Sequence, residues 1–353
     1  MADIFDNLVA NLTFNAEEAR SNAEIVFTNP YYSPDLALIH GIQTGIMMDK
    51  FIPILGQIDD IGRIDPGNCG INEDTAAFAA SQKKWEPKLI SGRYTICVDD
   101  LPKLMKFWSE SPQVKSRWEQ ISNPAKQYII DTVTNAIQRS IIRISEFGDT
   151  NAATGTDAGD LTTGTTVGLF TILNGMWKQL IDEESTTRIV SITENSAATK
   201  EEQMALASDT AYKVFKGLLE GISPEGEMNE MTIQCTKSLY DNWVSYVENK
   251  SGAYRPELLT DGTTKDTFRG KQIVVRKDWD RLIKKYYDNG TTLYLPHRAI
   301  YCDKNIIPIG TRDTDSFKSL DSYYDRVSKK VLIDYAYSID CKVLVPEYVA
   351  AAY

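Results

Sequence analysis

The stretch SNPAKQYIIDTVTNAIQRSIIRISEFGD, residues 122–149, decides the fold. Asn123 is a favoured N-cap, and Pro124 suits the first helical position because the N–H that proline lacks has no helical partner there. Branched apolar residues then recur every three or four positions and form one stripe: Ile130, Val133, Ile137, Ile141 and Ile144. Gly148 indicates the end of the helix, as a glycine at C′ does. The pattern predicts a helix over 124–147, about 36 Å long.

A second long pattern lies near the C-terminus. From Val331 to Val345 every odd position is apolar, and most even positions are polar. This period-two alternation is typical of a half-buried strand, and a strand over 331–345 would span about 50 Å. The long helix and the long strand match in length. We therefore expect an elongated domain of helix on sheet, with residues 187–303 inserted between its halves.

Strands and helices alternate over residues 187–303, which predicts a compact α/β-like unit. Thr199 and Glu202 form a capping box for a helix that runs to about Glu220. The remaining predicted elements are strands at 231–236, 268–277 and 293–303 and helices at 238–252 and 278–290.

The N-terminal part of the chain cannot bury itself. Residues 3–35 contain six acidic residues and one arginine, a net charge of −5, so this segment is not a basic arm for nucleic acid. Residues 41–98 hold two strand-like runs, at 51–55 and 94–98, around a long polar, Gly-rich stretch. We predict a long excursion, a β-hairpin with loose ends, in which residues 60–88 serve neighbouring molecules rather than the subunit's own core.

Composition gives broad limits on the class of protein. A length of 353 residues suits about two domains, and 42% hydrophobic with 25% charged residues is typical of an ordinary globular protein. No apolar run is long enough to span a membrane, and the acidic N-terminus does not resemble a secretory signal. Five cysteines without a C-x-x-C pair predict free thiols in a reducing cytosol. The net charge of −11 argues against a protein whose main surface binds nucleic acid.

The sequence predicts no catalytic, cofactor-binding or metal-binding residue. His40 and His297 lack a local serine or cysteine motif, so we interpret both as structural, with a hydrolase that uses one of them as the alternative. Asp313-x-Asp315 is interpreted as a solvated turn rather than a cation site. The segment from Gly262 to Lys271 fails the phosphate-loop pattern, because its spacing is too long and glutamine follows the lysine.

Two further residue sets receive structural interpretations. One is a basic run that we interpret as a solvated helix face, with DNA contact as the alternative: Arg276, Lys277, Arg281, Lys284 and Lys285. The other is the set of tryptophans, which we expect to anchor cores or interfaces: Trp85, Trp108, Trp118, Trp177, Trp243 and Trp279.

The order of these features resembles the major capsid proteins of tailed double-stranded DNA bacteriophages, over essentially the whole chain. Five stretches carry the resemblance: KKWEPKLISGRYTICVDDL (83–101), AIQRSIIRISEFGD (136–149), TFRGKQIVVRKDWD (267–280), NIIPIG (305–310) and YYDRVSKKVLIDYAYSIDCKVLVPE (323–347). No single stretch is specific, and their order together carries the similarity.

The resemblance implies an α+β fold with five parts in chain order. These are an N-terminal arm (1–40), an extended E-loop (41–98), a P-domain (99–186) with its spine helix at 124–147, an inserted A-domain (187–300), and the P-domain return strands with the C-terminal strand (301–353). The arm and the E-loop are then expected to lie across neighbouring subunits, which would also cover unpaired strand edges.

The resemblance also implies a structural, non-enzymatic role in the virion. The chain is expected to form hexamers and pentamers of an icosahedral shell, assembled in the host cytoplasm, with a portal and scaffold or decoration proteins as partners and no membrane. The shell would enclose double-stranded DNA without sequence-specific binding. Weak DNA binding at low salt is expected through Lys271, Arg276, Lys277, Lys284 and Lys285.

Two points stay open at this stage. Some family members crosslink an E-loop lysine to a P-domain asparagine; Lys83, Lys84 and Lys88 lie in the corresponding region, but no matching asparagine motif is found and no residue is assigned. The alternative function is an encapsulin-type nanocompartment shell, which shares the fold and holds enzyme cargo instead of a genome.

Overall fold

The computed structural model describes residues 34–55, 80–97, 123–152, 167–222, 230–251, 257–258, 264–312, 321–325 and 330–353. Its helices are α1 (Pro34–Ile39), α2 (Asn123–Phe147), α3 (Met176–Asp182), α4 (Lys200–Met204), α5 (Thr210–Gly221), α6 (Lys237–Ser251) and α7 (Lys277–Tyr286). Its strands are β1 (Ile42–Gln43), β2 (Phe51–Leu55), β3 (Ala80–Lys84), β4 (Lys88–Cys97), β5 (Arg188–Val190), β6 (Thr232–Cys235), β7 (Glu257–Leu258), β8 (Thr264–Lys265), β9 (Thr267–Phe268), β10 (Lys271–Val275), β11 (Ala299–Cys302), β12 (Ile309–Gly310), β13 (Asp321–Asp325), β14 (Lys330–Cys341) and β15 (Ala350–Ala352).

The predicted long helix is confirmed as α2, which begins at Asn123 and ends at Phe147. Three residues of the predicted stripe are buried: Ile137, Ile141 and Ile144. The helix lies against β14, and the two elements are joined by a 2.7 Å hydrogen bond between the Ser140 and Tyr337 hydroxyls. The side chain of Ile130 lies outside the described residues. The apolar spacing therefore correctly predicts which face of the helix is buried.

Gly148 ends α2 for a reason other than the predicted one. Among the described glycines, those with positive φ are Gly45, Gly270 and Gly290, so Gly148 is not a left-handed C′ residue. A Cβ on Gly148 would instead lie 2.4 Å from the Leu173 carbonyl oxygen and 2.5 Å from that of Ile144. The absence of a side chain lets the backbone of the following segment pass close to the end of the helix.

The central strand of the five-stranded sheet is β14. The strand order is β1-β12-β14-β13, and β4 pairs with β14 in antiparallel register from Lys88↔Ile339 to Cys97↔Lys330. The predicted strand over 331–345 is too long at its C-terminal end, because β14 stops at Cys341. Beyond it, the Val343 N–H donates to the Gln179 side chain (2.9 Å) and the Leu344 N–H to the Ile306 carbonyl (2.9 Å). A side chain and a loop thus replace a strand partner.

The polar face of β14 also departs from the half-buried pattern. Ser338 and Asp340 are buried although they occupy even positions. The Ser338 hydroxyl accepts from the Arg312 N–H (2.9 Å), and Asp340 accepts from the Glu86 N–H (2.6 Å). At this end the strand is therefore covered on both faces.

The second predicted hairpin strand pairs elsewhere. β2 pairs with β3, from Phe51↔Lys84 to Leu55↔Ala80, and forms a two-stranded sheet of its own. The run predicted at 94–98 belongs to β4, which starts earlier and joins β14 instead. The hairpin prediction was thus correct for the first strand and wrong for its partner.

The second sheet has the order β5-β15-β11-β6-β10-β9, and α5 packs against it. Its strand β15 comes from the C-terminus, which the sequence analysis grouped with the return strands, and lies between β5 and β11. The chain end thus completes the sheet of the inserted unit. The domain limits themselves remain predictions.

Several elements of the inserted unit are shorter than predicted. The helix predicted at 278–290, for example, is α7, which ends at Tyr286. The capping box at Thr199 and Glu202 is present, but α4 ends at Met204 and α5 starts anew at Thr210. The break is held by side chains, because Glu194 accepts from the Ala207 N–H (3.3 Å) and Asn242 donates to the Ala207 carbonyl (2.8 Å).

The predicted strand at 268–277 is two strands, β9 and β10, that reverse at Arg269-Gly270, where both residues have positive φ. The predicted strand at 293–303 is regular only as β11, and Pro296 interrupts the sequence before it.

The predicted roles of the tryptophans are confirmed where the structure describes them. Trp85, Trp177 and Trp279 are buried, and Trp243 packs against the core of the second sheet. Trp108, Trp118 and Asp313-x-Asp315 lie outside the described residues. Three cysteines with described side chains are free and buried: Cys235, Cys302 and Cys341.

Candidate functional site

The base of the β2–β3 hairpin is fastened to the body of the protein by Trp85. This residue follows β3 directly and is 1% exposed. Its N–H donates to the Lys50 carbonyl and its carbonyl accepts from the Asp49 N–H, both at 3.0 Å. Its ring lies against Gly310, where an added Cβ would be 2.7 Å from the Trp85 ring. The prediction that residues 60–88 serve only neighbours is therefore wrong at Trp85, which belongs to the subunit's own core.

The surface beside this anchor is apolar and exposed. Met47 is 71% exposed, and Met48 and Phe51 are about half exposed. Leu89, at the start of β4, is also exposed. A two-stranded hairpin is marginally stable in water by itself, and exposed apolar side chains at its base are typical of a surface that another molecule covers. We call Met47, Met48 and Phe51 the methionine surface.

Charged residues line a cleft of about 550 Å³ between the hairpin and the body. Lys83 donates from Nζ to both carboxylate oxygens of Glu183, the residue that follows α3, at 3.1 and 3.4 Å. Lys84 lies 3.8 Å from Asp49. Burial raises the pKa of Asp340 at the cleft wall. The structure thus places two of the three lysines considered for crosslinking in ion pairs within the subunit, and Lys88 lines the same cleft.

A buried charged cluster, which we call the Glu146 junction, joins the end of α2 to the second sheet. The Arg276 Nη2 donates to both carboxylate oxygens of Glu146, at 2.6 and 2.7 Å. The Trp279 indole N–H donates to the same carboxylate at 2.6 Å. Arg276 also donates to Gln234 on β6 (2.7 Å) and to Asp278 (3.0 Å from Nε). The buried charges are therefore paired and hydrogen-bonded, as burial requires.

His40 completes this junction from the segment that follows α1. Its Nδ1 is 2.8 Å from the Ile307 carbonyl oxygen, and its Nε2 is 2.9 Å from Glu146 Oε1. The Ile307 carbonyl only accepts, so Nδ1 donates to it. The contact of Nε2 with Glu146 then fixes the ring at the junction. These contacts support the structural interpretation of His40.

The pKa of Glu146 follows from these partners. Burial by itself would raise the pKa, but the charges and hydrogen bonds of Arg276 and His40 outweigh burial and lower it. The carboxylate therefore stays ionised in the interior, where it holds three elements that are far apart in the chain.

His297 has a serine partner that the sequence did not reveal. Its Nδ1 is 2.6 Å from the Ser238 hydroxyl, and its Nε2 is 2.6 Å from the Gln203 carbonyl oxygen. The carbonyl requires Nε2–H, so Nδ1 accepts from Ser238, the arrangement of a nucleophile and a base. The ring is completely buried, however, and Asn195 exchanges hydrogen bonds with the His297 backbone. These contacts support the structural interpretation of His297.

Neither metal-binding nor membrane-spanning features occur in the described part of the chain. No group of three or more histidine, cysteine, aspartate or glutamate side chains is arranged there to hold a metal ion. None of the described helices is long and apolar enough to cross a membrane.

The elongated helix on a long-stranded sheet, the second sheet inserted in the chain, and the hairpin together define the α+β fold of phage major capsid proteins. One solved structure with this fold is the satellite phage P4 procapsid, which includes the size determination (Sid) protein. A chain of that procapsid aligns with this chain at a TM-score of 0.51 and 11% sequence identity. The alignment covers 96% of this chain and 98% of the procapsid chain. This likeness shows the fold.

Other solved structures align over similar lengths but less closely. The Gordonia phage Cozz structure has a TM-score of 0.48 at 12% identity, covering 99% of this chain and 90% of its own. A virus-like particle from Pyrococcus furiosus has a TM-score of 0.41 at 8% identity, covering 96% and 98%. At the level of sequence, no family model and no curated protein matches the chain.

Proposed function

We propose that this chain is a major capsid protein, a structural subunit that assembles through hexamers and pentamers into an icosahedral shell around double-stranded DNA. Within this proposal the protein has no enzymatic role and its location is the virion, assembled in the host cytoplasm. A portal and scaffold or decoration proteins are its expected partners.

The observation that carries the proposal is the methionine surface at the base of the hairpin, on a body with the capsid-protein fold. Met47, Met48 and Phe51 expose apolar area beside a two-stranded sheet. A closed shell offers each copy a neighbour that covers this area, and burying apolar surface stabilises an assembly by about 25 cal/mol per Å².

The test compares assembly by two sets of variants. Met47→Ser with Met48→Ser removes apolar area from the methionine surface, and Met204→Ser is the control because Met204 is an exposed methionine on α4. We expect the double variant to remain folded but to shift from large particles to free subunits or capsomers on a density gradient, while the control assembles like the parent protein. Equal assembly by all three proteins would show that the methionine surface is not an assembly contact.

The contents of the particles distinguish a phage capsid from the encapsulin-type alternative. Particles isolated from infected host cells are expected to contain duplex DNA, measured by nuclease-resistant absorbance at 260 nm. Particles that hold a protein cargo and no nucleic acid would favour the nanocompartment.

A further inference from the structure

One face of α7 carries a row of exposed cations. They recur at the spacing that places side chains on the same side of a helix: Lys277, Arg281, Lys284 and Lys285. The opposite face is buried against the core through Trp279, Leu282 and Ile283. The helix is therefore fixed in orientation, and its cationic face is directed to the solvent.

The acidic residues of α7 offset this row only in part. Asp280 attracts Lys284 and Asp278 attracts Arg281 through space, but both carboxylates have their hydrogen-bond partners elsewhere. Asp278 accepts from the buried Arg276, and Asp280 accepts from the backbone N–H of Lys237 at 3.0 Å. In the described part of the chain, no carboxylate lies within ion-pair distance of Arg281, Lys284 or Lys285.

The long helix α2 adds another cation to the same surface. Arg139 is exposed and has no carboxylate partner in the described residues. It lies about two helical turns before Glu146 and on the same side of α2, and Glu146 contacts Arg276 and Trp279 at the start of α7. Arg139 is therefore on the side of α2 that adjoins α7. The pKa of Arg281 is lowered, first by its partial burial and then by the positive charge of Arg139, in agreement with that placement. An anion bound between the two guanidinium groups would reduce their repulsion.

We propose that Arg139 of α2 and Lys277, Arg281, Lys284 and Lys285 of α7 form one cationic surface, the α2–α7 face, that binds duplex DNA through its phosphates. Phosphate contacts need only cations at the surface. A protein partner needs an apolar centre in the interface as well. None of the large hydrophobic side chains exposed in the described residues lies on α2 or α7, so DNA is the favoured partner.

The structure changes the set of residues expected from the sequence. Arg276 is buried in the Glu146 junction and cannot reach DNA, and Lys271 is only partly exposed. Arg281, and Arg139 from a distant part of the chain, replace them. The biological meaning of this inference rests on the proposed shell function, because many weak sites in one shell act together on one long duplex. A single subunit with net charge −11 is expected to bind weakly at physiological salt.

The experiment measures binding of the full-length subunit to a random-sequence duplex by fluorescence anisotropy over a range of salt concentrations. If all five cations contact phosphates, the slope of log K against log salt is about −4.5, at about −0.9 per contact. Neutralising three cations in Arg139→Gln/Arg281→Gln/Lys284→Gln should reduce the slope by about three and weaken binding at least tenfold at low salt.

The control variant removes the same number of positive charges from another surface. Lys213→Gln/Lys216→Gln/Lys250→Gln removes three lysines of α5 and α6, of which Lys213 and Lys250 are exposed and Lys216 is half-buried, and should leave binding close to that of the parent protein. Circular dichroism establishes that both variants are folded. Equal losses in the two variants, or no binding at low salt, would overturn the proposal.

A competition experiment distinguishes DNA from an acidic protein as the partner of the α2–α7 face. Polyglutamate of matched charge that displaces the duplex equally well would overturn the proposal in favour of an acidic protein partner. Electron microscopy of the same preparations reports shell formation independently. Shells formed by a subunit that does not bind DNA would contradict this inference and leave the proposed function intact.

Discussion

Glu146 and Arg276, which are 130 positions apart in the chain, form a bidentate contact in which one guanidinium nitrogen lies 2.6 and 2.7 Å from the two carboxylate oxygens. Both side chains are buried, so neither charge has water as an alternative partner. The contact joins the last turn of α2 to the start of α7, and through Gln234 it reaches the second sheet. Removing either charge leaves the other buried without its partner.

We predict that Glu146→Gln lowers the free energy of unfolding by about 3–5 kcal/mol at neutral pH, as breaking a buried ion pair does. Urea unfolding of the subunit provides the measurement, and Glu248→Gln on the exposed face of α6 is the control. A loss no larger than that of the control would show that the junction does not stabilise the fold.

The same pair predicts a dependence on pH. The pKa of Glu146 is lower in the folded protein than its ordinary value of 4.5. Its contribution to stability is therefore complete above about pH 4.5 and is lost as the pH falls through the folded pKa. The stability difference between the parent protein and Glu146→Gln should narrow below pH 4.5. A difference that is constant down to pH 3 would contradict this assignment.

The Glu146 junction could not be predicted from the sequence. Its members come from the ends of α1, α2 and β10, and neither helical nor strand periodicity links such distant positions. The long helix was predictable because its apolar spacing is continuous. The pairing between strands was less predictable. The alternation in β14 indicates a strand but does not identify β4 as its partner. The register of the pair depends on contacts between residues that are distant in sequence.

A charge at Ile137 should disrupt the contact between the long helix and the sheet. This side chain is 4% exposed on the face of α2 that is directed to the core. Ile137→Asp places an unpaired carboxylate there, at an expected cost of several kcal/mol. We expect insoluble or unassembled protein, whereas Ala136→Asp at the exposed neighbouring position should remain soluble. Normal assembly by Ile137→Asp would show that the stripe is not buried.

Trp85 and Phe51 should have separable effects on stability and assembly. Trp85→Ala removes a buried anchor and should cost about 3–5 kcal/mol, measured by thermal or urea unfolding. Phe51→Ala, at an exposed position of β2, should change the free energy of unfolding much less and should weaken particle formation. If Trp85→Ala leaves stability unchanged, the hairpin base does not belong to the core.

Gly148 should not tolerate a methyl group. In Gly148→Ala the new Cβ would meet two backbone carbonyl oxygens at 2.4 and 2.5 Å, and backbone cannot move aside as a flexible side chain can. We expect a loss of about 1–3 kcal/mol, the usual cost of overpacking. Gly168→Ala is the control, because its Cβ would have no atom within 4 Å. Equal stability of the two variants would contradict the close approach at the end of α2.

The central claim is that this chain is a shell subunit, and electron microscopy of the purified full-length protein in negative stain tests it most directly. The account predicts closed particles of uniform size, or the ring-shaped pentamers and hexamers from which such particles form. A folded protein that stays a monomer or small oligomer at every concentration and salt condition tried would contradict it.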